Sequence, residues 1–440
     1  MSLLAGCAAR DISPTEPMFL AGYPHVPRTS TGVHDPLLAS ALYLADGKTE
    51  LLLIGVDILF ISQRSTALCR EAISRRTGIP SGHILISATH THSGPVTSDE
   101  LAWLGDPVVP PPDPGYLEQF HRGIIEAAAA AREAAVPARL AVTTAVAADT
   151  GGNRLDPAGP FDPEAGLLAV QDARDGRLVA VDLVFGMHPT VLHEDSKLVS
   201  ADFPHFTRRE IAEAFPGVTT VYHNGPSGNL SPRYRVRGQT FAEAERLGRR
   251  LGGSVVCALR ALEDADFRGD ILLAARQGKV ELVPNRFPSV AEAEAKLRQS
   301  RERYDKLKRQ GAGHGPVRTA ECAVFGAEMA LALAGAQASG EVARRQADFG
   351  RAEVQVFRVG ELYLAALPGE QFVEYGLTIK RRAPGRAFVI SNANGELQGY
   401  IVTPEAAAAD GYEAAWALFR PASGARLVKA AVELMKELGS

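Results

Sequence analysis

The sequence predicts an α/β fold: a layered sandwich of mixed β-sheets flanked by helices, with a helical hairpin added. Two observations carry this. A unit of strand, polar break, helix and strand recurs three times along the 440 residues. Segments with apolar residues at helical spacing separate those units. No low-complexity linker interrupts the chain, so residues 1–440 are expected to form a single domain with a helical subregion at about 289–340.

In the first unit, Leu51 to Phe60 is apolar and β-rich, Ser65 to Arg76 is helical, and Ile84 to Ala88 is a strand. That strand runs into Thr89-His90-Thr91-His92-Ser93-Gly94-Pro95. In a regular strand, alternation points His90 and His92 the same way. Ser93-Gly94-Pro95 then turns the chain. In the second unit, the strand Leu178 to Phe185 ends at Met187-His188-Pro189-Thr190. A helix from Phe206 to Ala214 and a strand from Thr219 to Tyr222 follow, leading into Gly228-Asn229-Leu230-Ser231-Pro232. In the third, Val354 to Leu367 is a hairpin turning at Arg358-Val359-Gly360-Glu361 and ending at Pro368-Gly369-Glu370. Gln371 to Arg381 is helical, and Ala387 to Ser391 leads to Asn392-Ala393-Asn394-Gly395 and Tyr400. Polar residues at strand ends imply a site there. Glu370 would also sit at a helix N-terminus, where its charge is favoured.

The separating helices are Tyr116 to Ala135 and Phe241 to Ala265, the latter with Leu247, Leu251, Val255 and Leu259 on one face. Ser289 to Gln310 is charged and heptad-like, and Gly311 to Pro316 breaks it before Ala320 to Ala338. This pair reads as an αα-hairpin. It would serve either as a protrusion or as a contact between copies in a homo-oligomer.

Composition narrows the function. A hydrophobic fraction of 46% is that of a soluble globular protein. The net charge of -4 and the lack of a Lys/Arg stripe argue against nucleic acid. No apolar run is expected to approach the roughly 18 residues that an integral membrane segment needs. Cys7, Cys69, Cys257 and Cys322 are scattered, which suggests buried thiols in a reducing compartment. Leu4-Ala5-Gly6-Cys7 has the look of a lipoprotein box, but no basic residue precedes it and the apolar stretch is short. A cytoplasmic location is therefore expected. Two imidazoles at a strand end are a ready start to a metal site, although the spacing alone is a modest signal.

The strand-end residues together carry a resemblance. From about Ala8 to about Ala422 the chain resembles the catalytic domain of the neutral/alkaline non-lysosomal ceramidases. The carriers are Asp11-Ile12-Ser13-Pro14, Ala21-Gly22-Tyr23, Gly32-Val33-His34-Asp35-Pro36, the intact His90–Pro95 block, His188-Pro189-Thr190 and Ser200-Ala201-Asp202. Gly228–Pro232, Pro368-Gly369-Glu370, Tyr400–Glu405 and Tyr412-Glu413 complete them. The resemblance implies a Zn²⁺ held by His90, His188, Glu370 and Tyr400, a nitrogen and oxygen set that suits zinc. It implies His92 as a proton-handling neighbour, with Arg154 and Tyr412 as donors to a developing oxyanion. The implied activity is hydrolysis of an N-acyl amide by metal-activated water on a small-molecule substrate. Asp57 and His34 are candidates for supporting the ligands, or for purely structural work.

Two departures matter. Asn229 stands where the family has Asp, and Arg233 where it has Asn, leaving Ser231 either catalytic or a plain turn residue. The family's C-terminal β-sandwich is not expected here. Arg233, Arg235 and Arg237 place cations near the site, and guanidinium recognises carboxylate or phosphate. The substrate is therefore expected to be smaller and more polar than ceramide. An ester or glycoside hydrolase on the same metal, or a non-catalytic metal- or ligand-binding protein, are the competing readings. A glycosidase would want paired carboxylates, and no second pair stands out.

Overall fold

The computed structural model describes residues 3–23, 26–103, 106 and 108–439. Eight strands form the larger sheet: β1 (Leu4–Asp11), β2 (Leu38–Ala45), β3 (Glu50–Val56), β4 (Ile84–Ala88), β5 (Val136–Val146), β6 (Glu164–Asp172), β7 (Leu178–Phe185) and β8 (Thr219–Asn224). Their order is β8-β7-β6-β5-β1-β2-β3-β4. Pairing is antiparallel except at the two ends, where β3 with β4 and β7 with β8 run parallel. A second sheet has the order β9-β10-β11-β12, from β9 (Leu273–Glu281), β10 (Arg351–Val359), β11 (Leu362–Ala366) and β12 (Arg386–Ile390). Here too the last pair, β11 with β12, is parallel.

Parallel neighbours need a crossover, and each such pair has a helix. The helices are α1 (Gln63–Thr77), α2 (Pro114–Glu133), α3 (Phe203–Ala214), α4 (Phe241–Arg260), α5 (Val290–Arg309), α6 (His314–Ala338), α7 (Glu341–Phe349), α8 (Val373–Arg382), α9 (Pro404–Ala409), α10 (Tyr412–Ala415) and α11 (Ala422–Gly439). Helices α1, α3 and α8 make the three crossovers. These are the three units read from the sequence, and all three end at a parallel strand pair.

Strand alternation builds the layers. On β3, Leu51 and Leu53 face the second sheet and share a cluster with Phe357, Leu364, Phe388 and Ile390. Leu52, Ile54 and Val56 face the other way, onto Ile73 of α1 and Phe120 and Ile124 of α2. On β6 the same split sends Leu168 and Val170 to the inter-sheet cluster, and Leu167 and Ala169 to α3 and α4. Leu247, Leu251, Val255 and Leu259 of α4 lie in that helix layer, as their spacing predicts. The second sheet is covered by Tyr375 and Ile379 of α8 and by Leu427, Ala431 and Met435 of α11. The result is helix, sheet, sheet, helix. Each buried Leu, Ile or Phe contributes roughly 1.5–3 kcal/mol.

The larger sheet curls until its edge strand β8 meets β3. Gly55 permits this approach, since a Cβ there would lie 2.4 Å from the Tyr222 carbonyl oxygen. A buried chain of Ser87, His223 and Asp182 ties the same seam, with Ser87 Oγ 2.6 Å from His223 Nδ1 and His223 Nε2 2.9 Å from Asp182 Oδ1.

The α5–α6 hairpin forms, with Leu297 packed on Val324 and Ala327. It is not a simple protrusion, because α6 also lays Met329 and Leu333 into the core of the second sheet. The helix starts at His314, earlier than the Gly/Pro run suggests, because proline is tolerated in a first turn. The expectation that no segment approaches a membrane span needs correcting. Gly315–Ala338 is long and apolar enough by length and composition, and half of its most apolar window is buried within the protein. Packing against α5 and the core accounts for that apolarity.

Candidate active site

Three strand ends deliver the central side chains. His90 follows β4, His188 follows β7 and Glu370 follows β11. His90 departs from the regular alternation expected of it, because its backbone is left-handed with φ of 71°. Such a conformation is uncommon outside glycine and is held only by surrounding structure. Here the Ile58 carbonyl takes the His90 N–H at 2.9 Å. His90 and His92 still converge, with ring centroids 5.0 Å apart.

The two nitrogens of His90 and of His188 have separate partners. His90 Nδ1 lies 2.9 Å from the Leu59 carbonyl, and His188 Nδ1 lies 2.8 Å from the Ser227 carbonyl. A carbonyl can only accept, so each Nδ1 carries the proton and each neutral ring offers a lone pair at Nε2. Those Nε2 atoms are 3.2 Å apart. Glu370 Oε2 is 3.0 Å from His188 Nε2 and 3.2 Å from His90 Nε2. All three side chains are buried. Three electron-pair donors thus face one another out of water, an arrangement that a cation at their centre stabilises. His92 adds a fourth. Its Nδ1 lies 3.2 Å from the Gly22 carbonyl, and its buried Nε2 has no hydrogen-bond partner. Ligand atoms of His90, His92 and His188 lie within 4.8 Å of one another. The donor set fits a divalent metal.

Burial sets the electrostatics. It drives His188 down to about 4, with Arg154 adding to the effect and Glu370 opposing it. Burial likewise holds His92 well below the usual imidazole range, and the neighbouring His90 and His188 reinforce this. Glu370 would be raised by burial, but His90 and His188 outweigh that and keep it ionised.

Tyr400 arrives by backbone pairing. Glu370–Gln371 and Tyr400–Ile401 form a two-residue parallel ladder, with Glu370 opposite Tyr400. Tyr400 Oη accepts from Arg154 Nη2 at 2.9 Å. Arg154 is not a surface arginine. It is buried, its Nε donates to Glu413 at 2.7 Å, and its guanidinium lies 5.3 Å from the Tyr400 ring centre and 5.9 Å from that of Tyr412. Burial would lower its pKa, but Tyr400 and Glu413 overcome this and keep it charged. Burial pushes the Tyr400 phenol well up, and Arg154 acts against that push.

Arg154 and Tyr400 open onto one cleft of about 670 Å³, a volume that includes open solvent at its mouth, while His90, His188 and Glu370 are not part of its lining. His92, Arg154, Tyr400 and Tyr412 line it, with Ser231 and Arg233. Arg235 and Arg237 do not join them. Residues after Pro232 form a turn, in which Arg235 N–H donates to the Pro232 carbonyl at 2.7 Å. Without strand alternation, positions 233, 235 and 237 do not share a face, and the latter two are exposed. Ser231 is buried at the cleft wall and its Oγ accepts from the Arg233 N–H at 3.3 Å, a turn contact. Asp57 pairs with Arg208, and His34 stacks on Phe241 while bonding Asp35. Neither reaches the ligands.

The remaining motifs are scaffold. Asp202 accepts from Val191 and Leu192 N–H at 3.0 and 2.9 Å and so fixes the loop after His188. Asp35 accepts from Ser200 Oγ at 2.6 Å and Ala201 N–H at 2.8 Å, tying the Gly32–Pro36 motif to Ser200-Ala201-Asp202. Asn229 uses both ends of its amide. Oδ1 accepts from Val373 N–H at 2.9 Å at the start of α8, and Nδ2 donates to Glu374 at 2.9 Å. An aspartate there could not make the second bond, which accounts for asparagine.

Tyr23, from the Ala21-Gly22-Tyr23 motif, also lines the cleft. Several other cleft residues had no signal in the sequence: His193, Arg318, Cys322 and Phe325. The last three come from α6, so the hairpin forms one wall. Arg28 is buried and donates to the His92 carbonyl at 2.9 Å, holding that segment in place.

With this geometry in view, residues 3–211 match the family model described as neutral/alkaline non-lysosomal ceramidase, N-terminal. The chain is ceramidase-like. The matched stretch contains His90, His92, Arg154 and His188, while Glu370, Tyr400 and Tyr412 lie beyond it. In fold, the chain is similar to the crystal structure of neutral ceramidase from Pseudomonas aeruginosa. The TM-score is 0.76 at 18% identity, covering 100% of this chain and 74% of that one. A ceramidase structure complexed with C2 is similar at TM-score 0.75 and 18% identity, covering 100% and 75%. No curated protein matches the chain.

Proposed function

We propose that the protein is a zinc-dependent hydrolase of an amide bond, acting on an N-acyl compound smaller or more polar than ceramide. The observation that carries this is the convergence of His90 Nε2, His188 Nε2 and Glu370 Oε2 within 3.2 Å, with both Nδ1 atoms engaged elsewhere. The ceramidase-like fold supports amide hydrolysis over the other reactions such a centre can perform.

His90, His188 and Glu370 would hold the metal, with Tyr400 as the fourth ligand. Bound zinc supplies Lewis acidity, which activates water near neutral pH and polarises a carbonyl. His92 offers its unpartnered Nε2 to a proton, and burial keeps the resting ring neutral. Arg154 and Tyr412 are donors for negative charge developing on the carbonyl oxygen. Arg154 is already fixed by Glu413 and Tyr400, so it loses little freedom in that role.

Metal analysis and a substrate panel test this. The purified protein should carry about one zinc per chain, and His90→Ala should carry none. Across N-acyl amides, esters and glycosides, the amides should be cleaved fastest, and a faster ester or glycoside would overturn the amide assignment. A wild-type protein without stoichiometric metal would overturn the whole reading.

A further inference from the structure

We infer that the cleft takes a substrate with an anionic group, carboxylate or phosphate, close to the scissile amide, and that Arg233 binds that group. This rests on the amide-hydrolase reading of the same cleft.

The argument is a charge inventory of the wall. Among the described residues three guanidinium groups line the cleft, those of Arg154, Arg233 and Arg318, and no Asp or Glu does. Two of the three are neutralised from behind. Arg154 has Glu413 at 2.7 Å. Arg318 has Glu194 at 2.8 Å and Glu321 at 2.7 Å. Arg233 differs. Its Nη2 reaches Cys322 Sγ at 3.2 Å, and its Nη1 reaches Thr319 Oγ1 at 3.4 Å and the Arg154 carbonyl at 3.5 Å. Among the described residues no carboxylate forms an ion pair with it. A half-buried guanidinium whose contacts are to a thiol, a hydroxyl and a peptide oxygen, none of them anionic, keeps its charge uncompensated and has directional donors to spare. Carboxylate and phosphate match that fork with two parallel hydrogen bonds.

Position narrows the class. Arg233 is held beside Arg154 by that carbonyl contact and by the turn after Pro232, so the anion would sit next to the group that faces the reacting carbonyl. An N-acyl amino acid is the simplest compound with an amide and a carboxylate at such close range.

Binding is measured by calorimetry on the zinc-loaded chain, with sulfonamide isosteres that cannot be hydrolysed. The probes are N-octanesulfonylglycine, its neutral glycinamide, and N-octanesulfonylaminoethyl phosphate. The acid or the phosphate should bind roughly tenfold or more tighter than the amide, and which of them leads identifies the anion. Arg233→Ala should abolish that preference, and Arg233→Lys should retain part of it. Equal binding of all three probes, or a preference unchanged in Arg233→Ala, overturns the inference. Turnover of N-octanoylglycine is a separate readout. Anion-selective binding without turnover would sink the hydrolase reading alone, and turnover without anion selectivity would sink this one alone.

Discussion

Arg154 Nη2 donates to Tyr400 Oη at 2.9 Å, while the same guanidinium holds Glu413 through Nε. A buried phenol is hard to ionise, and a fixed cation at hydrogen-bond distance lowers that cost. The contact therefore couples the arginine to the candidate ligand. Arg154→Met should weaken zinc binding by about 10–100-fold, read by competition with a chromogenic chelator. It should also destabilise the fold by about 3–5 kcal/mol in denaturant unfolding, because Glu413 would be left buried and alone. Adding Glu413→Gln should recover part of that stability but not the metal affinity.

Metal removal should be visible as lost stability. A ligand held at a thousandfold its dissociation constant stabilises the native state by about 4 kcal/mol. Chelation should therefore lower the melting temperature of the wild type by several degrees. The His188→Ala protein should melt at one temperature with or without chelator, and a chelator shift that persists there would place the metal elsewhere.

Two buried carboxyls near α1 set a pH dependence. Burial raises Glu100 to about 8, with Glu396 contributing, and burial raises Glu396 to about 7. Glu100 Oε1 accepts from Ser98 Oγ at 2.6 Å, and Oε2 has no partner. A carboxyl whose folded pKa exceeds its unfolded value stabilises fully below the unfolded value, about 4.5, and loses that contribution as pH rises through the folded value. Wild-type stability should thus fall between about pH 5 and pH 8. Glu100→Gln should flatten this fall, with a difference of up to a few kcal/mol at pH 8 by urea unfolding. Parallel profiles for the two proteins would contradict it.

Asn229 makes a reciprocal test of the contact between its turn and the start of α8. Asn229→Asp removes the donor to Glu374 and sets two carboxylates at that contact. A loss of about 1–3 kcal/mol at pH 7 is expected. Glu374→Gln in the same chain should restore most of it, since an amide can again donate.

Much of this is legible in the sequence, and the reasons are local. The three crossovers announced themselves because apolar runs of strand length alternate with helical spacing and stop at polar residues. His90, His188, Glu370 and Tyr400 were assembled through a family resemblance, since no sequence period links positions so far apart. Strand β2 escaped because Leu38–Ala45 is nearly continuous apolar and small residues, buried on both faces. Strand β9 escaped for the opposite reason, since Leu273–Glu281 is half polar and lies at a sheet edge. Arg235 and Arg237 were expected beside the site with Arg233, but the turn after Pro232 leaves both exposed. The third wall of the cleft stayed hidden because Arg318, Cys322 and Phe325 sit on an ordinary helix whose docking no local signal encodes.

The left-handed backbone at His90 makes the motif intolerant in a way its side chain does not explain. A β-branched residue there would meet both the lost imidazole and a conformation it strongly disfavours. Asparagine or glycine would accept the backbone geometry and lose only the ring. Exchange at this one position therefore separates two quantities that alanine alone confounds: the energy stored in bending the chain at the end of β4, and the chemistry the bend was made to present.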